Sequence, residues 1–584
     1  MATNNGEQTA YDVAIVGGGP GGSSTASLLK KYAPDLRILI LEKERFPREH
    51  VGESQLPPIS AVLHEMGCWD KVEAANFPIK IGATYTWGKT IDPWDFEFLP
   101  LTDIKPDEPR PGKFDGWRVQ TAFQVERALY DKILLDHAAS MGCEVREETM
   151  VREVLRDGDR VTGLKLENGE VVTARYYIDA SGNPAVIRRA MGVQVEVPSK
   201  LKNVAFWDYW NNDEWAKDIG VGATRVHIRS LAYGWLWFIP LGPTRTSIGL
   251  VCPADYYKKS GKRPEQIYLD AVADEKFVAM HTKNATRDGE VRSTTDWSYV
   301  VERTVGENWF LVGESSGFAD PILAAGLMLT QTGARELAYT ILELERGEHD
   351  RAWLLERYDE VQRKRVTQHI RFADYWYTAN GYFDVIREHC SEIAKAAGLK
   401  LDAAAAFRWL SLGGLGHDAP GQVGVGGQDV AGIKQIMSRF SGETADWKIS
   451  GKNVFKLNLA NAEERSVARL ENGRIHKARC YVRGGSQLQL VGIQATIVDA
   501  LRQTSDLSEF LDLLRGSLAL QMPPEHVPVG VHHAMQTLEV MANDYWVVCS
   551  HKKGRPALDL STPVEGTNIH THDPSGVMSR KSTA

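Results

Sequence analysis

The sequence has little cysteine, no surplus of positive charge and no long hydrophobic run, and each lack closes off a class of protein. Its six cysteines (Cys68, Cys143, Cys252, Cys390, Cys480 and Cys549) are scattered, with neither a C-x-x-C pair nor a metal-ligand spacing. No metal site is expected from them, and they read as buried thiols in a reducing compartment. A formal net charge of −8 argues against nucleic acid or an anionic membrane as the main partner. No apolar stretch reaches the roughly 20 residues that span a bilayer. The opening residues, MATNNGEQTA, carry neither the basic cluster nor the apolar run of a secretory signal. A cytoplasmic protein without a membrane span is the expectation. No internal repeat is visible, and 43% hydrophobic and 25% charged residues over 584 positions suit two or three globular domains.

Glycine is abundant, and its placement in one stretch organises the chain. Tyr11 to Glu42 reads YDVAIVGGGPGGSSTASLLKKYAPDLRILILE. An apolar strand (Val13 to Val16) enters a glycine turn, small residues from Ser23 to Lys31 form a helix, and a second strand (Ile38 to Leu41) ends on Glu42. Gly17 permits the tight turn, Gly19 lets backbone approach a pyrophosphate, and Gly22 lets the helix pack on the strand. The helix N-terminus offers unpaired N–H groups to the anion, and Glu42, twenty residues past Gly22, can accept ribose hydroxyls. This is a βαβ dinucleotide cradle, which by itself does not distinguish NAD from FAD.

Downstream, the charged, proline-rich run KERFPREHVGESQLPP leads into a helix over Ile59 to Met66, and FPIKIGATYTW (Phe77 to Trp87) passes from loop to strand. Helical spacing over Gln124 to Ala139 sets Val125, Leu129, Ile133 and Leu134 on one face. Two alternating strands follow about an Asn168-Gly169 hairpin turn, the second ending in YYIDASG. From Leu201 to Cys252 aromatic and polar residues alternate, as in an antiparallel substrate-side sheet, and Trp207, Trp210 and Trp215 suggest an aromatic-lined pocket or core. Trp309 to Val312 is a buried strand preceding a helix from about Leu327 to Leu344, and helices continue to about Phe407. GGLGHDAPGQVGVGG (Gly413 to Gly427) reads as a linker, without the flanking strands of a second cradle. From about Trp447 to Ser550 lies a small α+β unit with short helices at Ala495 to Arg502 and Leu507 to Leu514. A DNA-binding reading of that helix pair meets 14 Lys/Arg against 12 Asp/Glu from Asp446 to Asp559, too near neutral for such a partner. The tail from about Thr562, with His570, His572 and Asp573, is polar and expected to be disordered.

FLVGESSGFADP (Phe310 to Pro321) decides the cofactor. A strand ending in glycine and an acid, then small residues and Asp320-Pro321 before a helix, resembles the second FAD motif of glutathione-reductase-type flavoproteins. The resemblance implies that Gly313 and Glu314 meet the ribityl chain and that the following helix points at the flavin, whose reduced form is an anion that a helix N-terminus stabilises. The usual acid there is Asp, so Glu314 carries the carboxylate on a longer arm. Arg127 and Asp179 fit the same pattern as cofactor contacts. The implied organisation is an α/β fold: a doubly wound, glutathione-reductase-type FAD-binding domain (1–80, 115–200, 298–345) with an inserted antiparallel substrate sheet (81–114, 201–297). A helical region (346–412), a linker (413–446), a small α+β C-terminal domain (447–555) and a disordered tail (556–584) follow.

YGWLWFIPL (Tyr233 to Leu241) contains W-x-W-x-I-P as Trp235, Trp237, Ile239 and Pro240. With the cradle, VGES at Val51 to Ser54, the DWSY run at Asp296 to Tyr299 and the Gly313 motif, the chain resembles the flavin-dependent halogenases over about Tyr11 to Phe383. The resemblance implies a wall of bulky residues that keeps organic substrate from the flavin, and cofactor contacts from Lys43, Glu53 and Ser54. It implies that Lys80, in PIKIGATYTW, is the catalytic lysine. FADH2, oxygen and chloride or bromide would yield hypohalous acid, which Lys80 hydrogen-bonds or captures as a haloamine. Halide is assigned to backbone at Ala324, Ala325 and Gly326, where the family's small hydroxyl residues are replaced by alanine. Leu323 stands where tryptophan halogenases carry a glutamate, which argues against free tryptophan as substrate. Trp376, Tyr377 and Asn380 in YWYTANGYF resemble a helical pattern of members with phenolic, pyrrolic or carrier-tethered substrates. That implies Tyr377 as a catalytic acid or substrate contact, with an aromatic packing stripe as the alternative.

The expected activity is a two-component halogenation served by a separate NAD(P)H:flavin reductase, because the chain has one nucleotide cradle. A small aromatic or carrier-protein-tethered molecule is the expected substrate. A flavin monooxygenase or geranylgeranyl-type reductase is the first alternative, and a non-catalytic flavoprotein-derived scaffold the second.

Overall fold

Strand Tyr11–Val16 lies at the centre of a five-stranded sheet, between Ala174–Asp179 and Ile38–Leu41, with Trp309–Leu311 and Glu144–Arg146 at the edges. In this computed structural model, residues 11–98, 104–105, 108–198, 202–212, 223–295, 298–383, 390–391, 430–441, 446–483, 486–560 and 568–570 are described. All four pairings of the central sheet are parallel. Such a sheet is covered on both faces, so its inner strands are largely apolar, while the edge strand Glu144–Arg146 is not. Period-two geometry sends Val13, Ile15, Ile38 and Ile40 to one face, where helices Pro20–Tyr32, Arg127–Ser140 and Gly326–Arg346 pack. Ala14, Val16, Leu39 and Leu41 face a small sheet built from Val151–Asp157, Arg160–Leu166 and Val171–Val172. This is the expected α/β FAD-binding fold.

The second layer is a ten-stranded sheet whose path runs Thr286–Arg287, Asn203–Asn211, Arg245–Pro253, Gly234–Pro240, Thr224–Leu231, Ile79–Thr86, Trp94–Glu97 and Asn568–His570. It differs from the expected antiparallel sheet in two pairings. Ile79–Thr86 runs parallel to Thr224–Leu231, and Asn568–His570 runs parallel to Trp94–Glu97. Distant parts of the chain therefore share one sheet, and the expected boundary at residue 80 falls inside a single strand, Ile79–Thr86.

Helix Arg127–Ser140 begins later than its hydrophobic spacing predicts, because Glu126 at its N-terminal boundary is extended (φ −70°, ψ 111°). Its buried face is Tyr130, Leu134, Leu135 and Ala138, whereas Leu129 is 44% exposed. The long helix Arg351–Thr378 carries Trp376, whose ring meets Phe440 of helix Val430–Ser441 edge to face at 5.0 Å. That helix lies within residues 413–446, expected to be linker throughout; Gly413 to Gly427 itself, and the expected helices from 392 to Phe407, lie outside the described residues. A buried pair, Lys434 to Glu539 at 2.9 Å, ties Val430–Ser441 to the C-terminal unit. There, helices Gly492–Gln503, Leu507–Ala519 and Val527–Asn543 accompany two small antiparallel sheets. In the tail expected to be disordered, Asn568–His570 forms a strand; His572 and Asp573 lie outside the described residues. Among the described residues no helix is long and apolar enough to cross a membrane.

Candidate active site

A cavity of about 390 Å³ runs from the glycine cradle to the inner face of the large sheet. At the cradle end its wall includes Gly17, Gly19, Pro20, Gly21, Glu42 and Lys43. Gly17 has φ +108°, and a Cβ there would lie 2.3 Å from the carbonyl oxygen of Ala180. Gly22 is off the wall: a Cβ on it would meet the carbonyl oxygen of Gly17 at 2.0 Å, so its lack of a side chain lets the helix seat on the strand. The Glu42 carboxylate is anchored beside the turn by the N–H groups of Gly18 (2.8 Å) and Glu44 (2.9 Å).

Further along, Glu314, His50, Arg48 and Arg127 gather on the wall. Arg127 is gripped by both oxygens of Asp131 (2.8 and 2.9 Å) and donates to the carbonyls of Val51 (2.8 Å) and Gly52 (3.2 Å). It thereby pins the extended segment that carries Glu53, Ser54 and Gln55. His50 is held below its ordinary pKa by burial and by the Arg127 charge. Opposite this group, Gly326, Leu327 and Thr330 bring the N-terminus of the 21-residue helix Gly326–Arg346 to the wall. The first N–H groups of a helix lack intrahelical acceptors and present a positive partial charge. The turn that precedes it is set by Asp320, whose carboxylate accepts from the Ile322 N–H at 3.0 Å, and by Ala324 in the left-handed region (φ +53°).

At the sheet end the cavity is apolar: Phe96, Ala83, Tyr85, Val226, Ile228, Trp235, Trp237 and Ile239 lie side by side on one face of four neighbouring strands, and Phe98 also lines it. The two tryptophans share one face of Gly234–Pro240, as period two requires. Trp237 lies across Gly249, its partner in register on the next strand, and donates to Ser247 Oγ at 3.1 Å. Lys80 is 1% exposed on this wall. Its ammonium donates to the Gln55 carbonyl at 2.7 Å and stands 5.5 Å from the Phe98 ring centre. Burial alone lowers its pKa to about 7.

Gly17, Gly19, Glu42, Lys43, Glu53, Ser54, Lys80, Arg127, Trp235, Trp237, Ile239, Gly313, Glu314, Ala324 and Gly326 thus meet on one wall. Five other expected residues do not line it. Gly22 and Pro240 support it from behind, and Ala325 is buried in the turn. Asp179 is fully buried, and its carboxylate accepts from the N–H groups of Ser181, Ile187 and Arg188, which secures the short helix Val186–Ala190. Tyr377 lies behind the tryptophan wall, where Trp235 Nε1 donates to its phenol at 2.7 Å and the phenol donates to Asp320 at 3.1 Å. Expected as a catalytic acid or substrate contact, with aromatic packing as the alternative, it does not line the cavity. Trp207 and Trp210 are off the wall as well, Trp210 donating to Tyr268 at 2.7 Å in the outer core, and Trp215 lies outside the described residues. His50, Arg48 and the aromatic wall of Tyr85, Phe96 and Phe98 were missed, although the alternation Trp94, Phe96, Phe98 carried a readable period-two signal.

The cradle accepts no Cβ at Gly17, and Glu53 on the cavity wall has a buried Oε2 with no hydrogen-bond partner among the described residues. Both features fit FAD. A family model described as an FAD binding domain matches residues 10–373. A 1H-pyrrole-2-carbonyl-[peptidyl-carrier protein] chlorinase of Pseudomonas fluorescens is 30% identical over 385 residues, covering 64% of this chain and 85% of that protein. The chain belongs to the flavin-dependent halogenases. Solved halogenase structures agree: the myxobacterial chondrochloren halogenase CndH is 31% identical with a TM-score of 0.58, covering 68% of this chain and 92% of that one. CmlS, a flavin-dependent halogenase, is 25% identical with a TM-score of 0.68 and matches 98% of this chain and all of its own. This halogenase is an FAD-dependent enzyme that uses halide.

Proposed function

We propose that this halogenase generates hypohalous acid at the flavin end of the cavity and uses it at Lys80 to halogenate an electron-rich arene. The observation that carries the reading is the buried Lys80 ammonium, held by the Gln55 carbonyl in the same cavity as the cradle and the Trp235–Trp237 wall. Reduced FAD, when bound, supplies the two electrons that activate oxygen. Gly17 to Gly21 and the helix N-terminus behind them would hold its pyrophosphate, Glu42 its ribose, and Gly313, Glu314, Arg127 and Lys43 the remaining polar groups. Halide would sit at the N-terminus of Gly326–Arg346, beside Ala324, drawn by backbone N–H groups and the helix dipole. Trp235, Trp237 and Ile239 separate that position from the arene, so a diffusible oxidant of low molecular mass can pass while the arene cannot. Lys80 then offers a hydrogen-bond donor, or in neutral form a nucleophilic nitrogen, in a site with few other polar groups.

The arene is proposed to be pyrrolic or phenolic and carrier-protein-tethered. The apolar end wall of Tyr85, Phe96 and Phe98 suits a flat ring, and two relatives bear names specifying a pyrrole-carbonyl carrier protein, one a chlorinase and one a brominase. A separate NAD(P)H:flavin reductase would supply reduced flavin. The test is to incubate the protein with FAD, a flavin reductase, NADH, oxygen and chloride or bromide. Pyrrole-2-carboxylate and a phenol are offered both free and as carrier-protein thioesters. Halogenated product from a tethered arene is expected; hydroxylated product alone overturns the proposal, and equal turnover of free and tethered arene overturns the tethering.

A further inference from the structure

We propose that Glu53 is the acid that delivers the proton consumed in halogenation. The inference rests on the reading that the chemistry occurs in this cavity. In net form, ArH + X⁻ + O2 + FADH2 + H⁺ gives ArX + FAD + 2 H2O, so each turnover removes one proton from the site. The inner end of the cavity is lined by buried side chains, and an acid on that wall is placed to supply the proton.

Glu53 meets the geometric demands. It lines the cavity on the same extended segment as Gln55, whose carbonyl holds Lys80 at 2.7 Å. The residue is 1% exposed, and its Oε2 has no hydrogen-bond partner among the described residues, an arrangement that costs free energy unless a ligand completes it. The hydroxyls of Ser247 and Tyr209 face its carboxyl, and Ser247 also accepts from the indole of Trp237 at 3.1 Å. The charges that bear on it are Arg127 and Arg245. Burial outweighs all of these and raises its pKa to about 7, so the carboxyl is part protonated at neutral pH and able both to give and to regain a proton.

A route for regaining it is present. Arg245 stacks over the Tyr209 ring at 4.3 Å and pairs with Glu126 (3.1 Å), Glu49 (3.5 Å) and Asp288 (3.5 Å), all partly exposed. The O–H bond of Glu53 breaks, and its proton joins an oxygen atom that originates in O2 and leaves as water. The resulting carboxylate regains a proton through the Tyr209 hydroxyl, which takes one from the solvent-facing carboxylate cluster around Arg245 as it passes one on, so that the phenol is never left ionised.

The test compares wild type, Glu53→Gln, Glu53→Asp and Tyr209→Phe as FAD-loaded full chains. Flavin affinity and thermal midpoint are read beside single-turnover bromination between pH 5.5 and pH 9 (about that span covers a pKa near 7). Infrared difference spectra supply a readout independent of activity. Expected are full flavin occupancy at saturating FAD, because Gln and Asp keep a polar group on the wall, and bromination slowed roughly 100-fold in Glu53→Gln, with partial recovery in Glu53→Asp. The wild-type rate falls as pH rises through the Glu53 pKa, a limb missing from Glu53→Gln, and a protonated-carboxyl band titrates in wild type and is absent from that variant. Wild-type bromination and pH profile in Glu53→Gln, or loss of flavin from it, overturns the proposal. If Glu53→Gln does not fold, Tyr209→Phe decides: an unaltered pH profile and carboxyl band there overturn it. A wild type that makes no halogenated product overturns the cavity reading and this proposal together, whereas a brominating wild type beside an equally active Glu53→Gln overturns the proposal alone.

Discussion

The indole N–H of Trp235 donates to the phenol of Tyr377 at 2.7 Å, so the wall of the cavity is tied to a residue that the cavity never touches. The same phenol donates to Asp320 at 3.1 Å and accepts from Asn203 Nδ2 at 3.1 Å, while Asn203 also donates to Asp320 at 3.0 Å. Asp320 caps the turn that leads into Ala324. One buried network therefore joins the tryptophan wall to the proposed halide turn. Tyr377→Phe keeps the ring and removes the junction, leaving a buried indole N–H without an acceptor at a cost of about 1–3 kcal/mol. The expected outcome is a lower thermal midpoint and a raised halide KM with FAD affinity unchanged. An unchanged halide KM would reduce the network to a packing device.

Lys80→Ala is expected to abolish halogenated product while reduced flavin continues to be oxidised, as followed by oxygen uptake beside product analysis. The buried amine also predicts a pH effect on stability. Its folded pKa, about 7, lies below the ordinary 10.5. Below pH 7 folded and unfolded chains both hold the proton. Between those values the unfolded chain binds more protons, and stability rises by up to about 1.4 kcal/mol per pH unit. Lys80→Met removes this term, so the advantage of Lys80→Met over wild type at pH 6 narrows as pH approaches 9. Parallel urea-unfolding curves at the two pH values would contradict the buried amine.

The cofactor end was legible in the sequence because its chemistry is local. A turn at φ +108° with no room for a Cβ requires glycine, and Gly17, Gly19, Gly22 and Glu42 stand within one βαβ unit. The wall was legible for a similar reason: Trp235, Trp237 and Ile239 alternate on one strand. What was not legible depends on partners far away in the chain. Asp179 and Tyr377 carry suitable functional groups in suitable motifs, yet three backbone N–H groups absorb the first and Trp235, Asn203 and Asp320 absorb the second. Spacing reports which groups are available and not whether tertiary partners have already claimed them. The parallel join of Ile79–Thr86 to Thr224–Leu231 was hidden likewise, since no local pattern pairs strands about 140 residues apart.

Gly249 faces Trp237 in register, and a Cβ on it would lie 2.2 Å from the indole. Gly249→Ala must displace a ring that is 6% exposed, at an overpacking cost of about 1–3 kcal/mol. If the ring belongs to the wall proposed to part flavin from arene, the expected result is product partitioning toward hydroxylation with FAD still bound. Chromatography of products and flavin absorbance per chain check both parts, and unaltered partitioning would show that Trp237 does not divide the cavity.

Ala324 holds φ +53° at the last residue before the helix that starts with Ala325 as its cap, a conformation that costs an L-residue about 1–2 kcal/mol relative to the right-handed region. Alanine tolerates it, glycine relieves it, and a β-branched side chain aggravates it. Ala324→Gly is therefore expected to leave stability within about 1 kcal/mol of wild type or slightly above it, because relief of strain offsets the greater chain entropy of glycine. Ala324→Val should lower stability by more than that and should raise the halide KM, since a shifted turn redirects the N–H groups of Gly326 and Leu327 that open onto the cavity. Thermal unfolding and the dependence of rate on bromide concentration separate the two effects. If Ala324→Val loses stability with its halide KM unmoved, halide is not held at this turn, and the N-terminus of Gly326–Arg346 serves the flavin alone.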